Sequence, residues 1–294
     1  MSQVKTQVQS NSLLEKVFKL SENNTTVKTE VIAGFTTFMT MAYILAVNPG
    51  MLAAAGMDQG AVFTATVLAA IIGTLAMAFL ANYPFALAPG MGLNAYFVYT
   101  VCLTMGYSWQ VALAAVFVEG IIFIILTFLN VREAIFNAFP QSLKHAVGAG
   151  IGLFITFIGF QNAGIVSDDA ATLVTLGDIT SIVPFLAIVG TLITGILVVK
   201  KVKGSILIGI IATYILGIIA ELVGWYVPNP EAGLYSLIPA TLFSAPPSIA
   251  PIAFKLDLSQ VFSLSFFVVV FAFLFVDIFD TLGTLIGVSS QAGM

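Results

Sequence analysis

Charge is scarce in this 294-residue chain, with Asp, Glu, Lys and Arg together making up 8% of it. A soluble domain carries about 25%. A single cysteine, Cys102, excludes an internal disulfide and any cysteine metal cluster. With one histidine, His145, in a basic connector, histidine-rich metal sites are not expected. The net charge is only -4, and the few charges sit in short connectors, so no nucleic-acid surface is expected. The first thirty residues are polar and show no apolar core ahead of a small-residue cleavage site, which argues against a cleavable signal peptide.

Apolar residues are abundant: 59% of the chain, with a mean hydropathy of +1.06. Stretches of about 20 mostly apolar residues read as membrane spans. They fall at 31–48, 61–81, 109–129, 146–165, 183–199, 204–225 and 262–289. An interrupted segment at 85–105 brings the expected count to eight crossings. Charge placement supports that count. Lys5, Lys16, Lys19, Lys28, Arg132, Lys144, Lys200, Lys201 and Lys203 then all fall on one side, and only Lys255 lies opposite. Asp58, Asp168, Asp169, Asp178 and Glu231 lie in the opposite connectors. This is the positive-inside pattern, with a cytoplasmic N-terminus. Trp109, Trp225 and Tyr226 at span ends read as interfacial anchors, and Glu221 and Asp257 sit near the outer surface. "SLLEKVFKL" gathers Leu13, Leu14, Val17 and Phe18 on one helical face, as either a helix on the membrane surface or a frayed tail. Gly148 and Gly152, continued by Thr156 and Gly159, form a narrow stripe expected to pack against another helix.

The interrupted segment reads "NYPFALAPGMGLNAYFVYTVCLTMG", with Pro84, Pro89, Gly90 and Gly92 within nine residues. Proline removes a backbone donor and glycine disfavours helix, so a continuous helix is not expected. An extended piece feeding a half-helix is expected instead, a form the bilayer tolerates only where protein or water meets the open backbone. Transporters place such segments at their binding sites. Asn94 near the half-helix N-terminus can donate and accept, and Tyr96 and Phe97 can stack on a planar ligand. A proline–glycine kink with a capping asparagine is the alternative.

The run "FLFVDIFDTLGT" places Asp277 and Asp280 about 60° apart on one helical face. An ionised aspartate at a bilayer centre costs roughly 2.5–3.5 kcal/mol. None of the expected spans contains an interior Lys, Arg or His to pair with them. The remaining partners are a proton, a metal ion, or a ligand with N–H donors. Thr281 shares the face, and Gly283 permits close approach of another segment. Glu119, in "AVFVEGIIFI", is the other mid-span carboxylate, suited either to a protonated helix-to-helix hydrogen bond or to a proton relay.

"APGMGLNAYF", "FVDIFDTLGT" and "PQSLKHAVGAGIGLFITFIGFQNAGIV" closely resemble the adenine/guanine/hypoxanthine permeases, the purine branch of the nucleobase–ascorbate transporters. The resemblance runs from about Glu30 onward. It implies an all-α polytopic membrane protein that imports purine nucleobases with protons. Members have two inverted seven-segment repeats forming core and gate domains that move as an elevator. By resemblance the substrate contacts are Asp277, Asn94, Ala95, Tyr96, Thr40 and Tyr43. Asp277, Asp280, Thr281 and Glu119 are the coupling candidates. The implied organisation is a cytoplasmic segment at 1–29, core segments at 30–130, gate segments at 131–226, an extracytoplasmic connector at 227–261, and the eighth segment at 262–294. The chain then holds one repeat and the first helix of the next, without the tenth segment that completes the family's site, and is expected to be a fragment. A weak internal echo, "FTTFMTMAYILAVNPGM" against "FVDIFDTLGTLIGVSSQAGM", fits the repeat. The expected setting is the cytoplasmic membrane, with a purine and the bilayer as partners, no nucleic acid, no cofactor beyond protons, no enzyme activity, and a homodimer left open. A cation or proton channel and a non-transporting membrane subunit remain the alternatives.

Overall fold

The computed structural model describes residues 13–129, 138, 140–229, 234–239, 241 and 243–292. Lys5, Arg132 and Glu231 therefore lie outside the described residues, as do the side chains of Lys144, His145 and Gly148. The described chain is mostly helical. In order it forms α1 (Leu13–Phe18), α2 (Val27–Met41), α3 (Ile44–Ala53), α4 (Gln59–Ala76), α5 (Met91–Ala95), α6 (Trp109–Phe128), α7 (Gln141–Asn162), α8 (Ile182–Val199), α9 (Ser205–Leu222) and α10 (Leu264–Ala292). A short antiparallel hairpin, β1 (Val166–Asp169) and β2 (Leu173–Leu176), follows α7, with Val166 opposite Leu176. Sequence patterning did not anticipate it.

Among the described residues, six helical stretches are long and apolar enough to cross a membrane: Val27–Ala53, Gln59–Ala81, Trp109–Phe128, Ile182–Val199, Ser205–Leu222 and Leu264–Ser289. The 22-residue α7 and the shorter apolar stretch Met91–Thr104 bring the set to the eight expected. Large apolar side chains such as Leu80, Phe128, Leu192 and Val199 are exposed on these helices, the outward face a lipid solvent requires.

The first stretch runs longer than the expected 31–48 and is broken at Ala42 and Tyr43. Pro49 sits inside α3, where its ring crowds the carbonyl of Leu45 and no N–H can answer it. One turn upstream the ladder tightens, with Leu45 N–H donating to the Ala42 carbonyl and Ala46 N–H to Tyr43, each three residues back. The bend separates α2 from α3 at Ala42 and Tyr43. Helix starts are set by capping side chains: Thr26 accepts from Thr29 N–H at 3.2 Å and Asp58 from Ala61 N–H at 2.7 Å.

The core gathers around α3–α6 and α10. Small residues on α6, Ala112, Ala114 and Ala115, admit Phe266, Val269 and Phe273 of α10. Helices α8 and α9 form a separate tight pair. Gly190 lies directly under Thr213, and Gly209 under Thr194, so a Cβ on either glycine would collide with the facing threonine. Each threonine hydroxyl donates to a carbonyl four residues earlier in its own helix, at 2.8 Å, which leaves it satisfied at the crossing. This is small-residue packing, the usual solution where lipid supplies no hydrophobic drive between helices. The close packing expected along α7 does not appear at its described glycines: a Cβ on Gly152 or Gly159 would meet nothing within 4 Å. The turn between α8 and α9 touches α2, because Gly204, at φ 73°, lies against the Met39 side chain. A side chain there would be strained as well as obstructed.

Candidate functional site

The interrupted segment takes the form its prolines and glycines require. Asn82 turns the chain in the left-handed region, with φ 54°. Residues 83–90 then run without regular secondary structure, ending at Gly90 in an extended conformation, and α5 starts after it. Thr74 on α4 pins the extended piece, accepting from Leu87 N–H at 2.9 Å and donating to the Leu87 carbonyl at 3.3 Å. Open backbone inside the apolar layer thus finds a protein partner. Beyond Ala95 the half-helix continues as a π-helix, Tyr96–Thr104. Such widened turns cluster at functional sites, and no sequence pattern announced this one.

Helix α10 brings the aspartates to this segment. A Cβ on Gly90 would come within 2.9 Å of Asp280 Oδ2, so the carboxylate rests against the backbone where the half-helix begins. The helix dipole favours a negative charge at such a place. Thr281 Oγ1 donates to Asp277 Oδ1 at 2.9 Å. Asp277 lies within electrostatic range of both Asp280 and Glu119. Glu119, on α6, is 5% exposed, and its Oε1 has no hydrogen-bond partner among the described residues. Tyr96 meets Phe273 edge-on at 5.1 Å, and Phe97 lies 6.5 Å from the same ring. One face of α10, over about two turns, therefore carries an aromatic and two carboxylates beside the broken segment.

Asn94 is held rather than loose. Its Nδ2 donates to Asn48 Oδ1 at 2.6 Å, Asn48 Nδ2 donates to Thr66 Oγ1 at 2.7 Å, and Thr66 Oγ1 donates to the Val62 carbonyl at 2.8 Å. The chain joins α5, α3 and α4. Asn48 and Thr66 are absent from the sequence-based set of site residues, although the same signal that exposes the aspartates applies to Asn48. It is a lone amide in the apolar run "AYILAVNPGML".

The remaining expected residues are placed less directly. Ala95 is 1% exposed and packs into the core. Thr40 is half-buried, and its hydroxyl donates to the Thr37 carbonyl of its own helix at 2.7 Å. Tyr43 is half-buried at the bend between α2 and α3. A groove of about 360 Å³ along α8, lined by Leu192, Ile196 and Val199 among others, includes none of the expected site residues.

A bundle of apolar helices with one broken crossing, whose start faces the Asp280 carboxylate of another helix, defines a multi-pass membrane protein. The chain belongs to the Permease family, whose model matches residues 28–294. Three relatives locate it within that family. One from Methanocaldococcus jannaschii, described as a permease, is 51% identical over 280 residues, 95% of this chain and 61% of its own length. The adenine permease AdeP of Escherichia coli is 42% identical over 289 residues, 98% of this chain and 62% of its own. The guanine/hypoxanthine permease PbuG of Bacillus subtilis is 44% identical over 292 residues, 96% of this chain and 63% of its own. The chain thus spans about three-fifths of the length of these relatives.

Proposed function

We propose that this chain carries one side of the substrate site of a proton-coupled purine nucleobase importer. The observation that carries the reading is the meeting of α10 with the broken segment, which sets Asp280 against Gly90 and Asp277 one turn away on the same helix. Relatives named for adenine and for guanine/hypoxanthine transport support a purine as the cargo. In this reading Asp277 accepts hydrogen bonds from purine N–H groups, Asn94 adds a carboxamide, and Tyr96 borders the ring. Thr40 and Tyr43 approach from the bend in the first crossing, and Ala95 contributes backbone. A proton enters on the carboxyl cluster of Asp277, Asp280 and Glu119, with Thr281 holding Asp277, and leaves on the cytoplasmic side with the purine. Residues 30–130 and 262–294 form the moving core and 131–226 the gate of an elevator, with 227–261 an extracytoplasmic connector. The protein sits in the cytoplasmic membrane with its N-terminus inside, either alone or as a homodimer.

The test is uptake of radiolabelled adenine, guanine and hypoxanthine by cells expressing the full native protein or its Asp277→Asn variant. The variant is expected in the membrane at parental abundance with uptake abolished. Normal accumulation by it would sink the assignment, and current without any purine would point to a channel instead.

A further inference from the structure

The hydrogen-bond chain behind Asn94 has a direction, and that direction fixes what the site can read. A carboxamide's two ends differ only in donor and acceptor character, so its orientation is whatever its partners impose. Here the structure gives one consistent arrangement. The Thr66 hydroxyl donates its single hydrogen to the Val62 carbonyl. Thr66 Oγ1 can then only accept from Asn48, which must present Nδ2. Asn48 is left with Oδ1 facing Asn94, and Asn94 must answer with Nδ2. A helix carbonyl therefore sets the orientation of a side chain two residues removed from it. Asn48 and Thr66 are 4% and 2% exposed, so no water competes for these bonds.

We propose that Asn48 and Thr66 are positioning residues that lock the Asn94 carboxamide with Nδ2 turned inward and Oδ1 offered to the ligand, so that the site selects a purine edge carrying an N–H donor. This rests on the purine reading above. Purines carry both ring N–H donors and ring-nitrogen acceptors, and an unlocked carboxamide would meet either by flipping. The locked one discriminates between them. Neither Asn48 nor Thr66 touches the ligand.

Thr66→Val tests the lock, because valine matches threonine in shape and lacks the hydroxyl. Uptake by the full native protein is measured for a purine, and inhibition of that uptake for a series of analogues each with one N–H methylated. In the parent, one methylation is expected to weaken inhibition most. In Thr66→Val the purine's KM is expected to rise about tenfold, the scale of one neutral hydrogen bond, with maximal rate and membrane abundance little changed. The inhibition constant of that most-affected analogue is expected to stay constant, so discrimination falls about tenfold. Thr66→Ser, which restores the hydroxyl, is expected to restore both. Thr66→Ala serves the same comparison if the valine variant does not reach the membrane. An unchanged KM, or an equal weakening of purine and every analogue, would overturn the inference by reducing Thr66 to a packing residue. A parent protein that takes up no purine refutes the permease reading itself, and this inference with it.

Discussion

Replacing Gly90 by alanine separates function from folding at the one point where the broken segment meets α10. Gly90 has φ -72° and ψ 121°, a conformation open to any L-residue, so the substitution adds no backbone strain. What it adds is a methyl 2.9 Å from Asp280 Oδ2, where ordinary contact begins at 3.4 Å. The carboxylate must withdraw by about half an ångström, and it can, because it ends a rotatable side chain. Forcing a side chain off its rotamer costs about 0.5–1.5 kcal/mol. That is too little to unfold the protein, yet spent on substrate or proton binding it equals up to about tenfold in affinity. Gly90→Ala is therefore expected to reach the membrane at parental abundance, to melt close to the parent in detergent, and to lose about tenfold in purine uptake. Gly34→Ala provides the control, since a Cβ there meets nothing within 4 Å in the middle of α2. It should leave uptake unchanged and gain up to about 1 kcal/mol from helix propensity. Parental uptake by Gly90→Ala at parental abundance would refute the placement of Asp280 against the half-helix.

Other expectations follow from other parts of the fold. Glu119→Leu removes a buried oxygen that has no partner among the described residues and is expected to stabilise the protein by about 1 kcal/mol or more in thermal unfolding, while flattening the dependence of uptake on external pH. A destabilised variant would show that the carboxyl has a structural bond. Gly190→Ala is expected to cost about 1–3 kcal/mol by driving a methyl into Thr213, and Gly190→Ala/Thr213→Ala should recover much of it. Absence of recovery would contradict the α8–α9 crossing. Asp169 accepts from Ala171 N–H, Thr172 N–H and the Thr172 hydroxyl, bonds that hold its carboxyl below the ordinary aspartate range. Its contribution to the β1–β2 turn is thus complete above about pH 3.9 and lost as pH falls further. Hydrogen-exchange protection at Ala171 and Thr172, taken relative to the intrinsic rate at each pH, should fall only on that acid side.

Several features of this molecule were legible in its residues alone, because the bilayer imposes one-dimensional rules. A span needs a length of apolar side chains, and basic residues sort to one side. Prolines and glycines break a helix wherever they fall. These rules located the crossings, the broken segment at 82–106 and the aspartates at 277 and 280, each an exception to a strong local expectation. The family likeness was legible in the same way, in short runs such as "APGMGLNAYF" and "FVDIFDTLGT".

Tertiary structure decided what those exceptions meet. No spacing rule says that Asp280 rests on Gly90, separated from it by most of the chain, or that Asn94 is tied through Asn48 to Thr66 on a neighbouring helix. Nor does one reveal that Ala95 turns into the core while Tyr96 meets Phe273. The glycine stripe on α7 and the Gly190–Thr213 contact look alike in sequence, yet among the described residues only the second is packed. Small residues allow close approach without specifying a partner. The partner depends on how helices cross, which is set by the whole bundle at once, and no local stretch of sequence contains it.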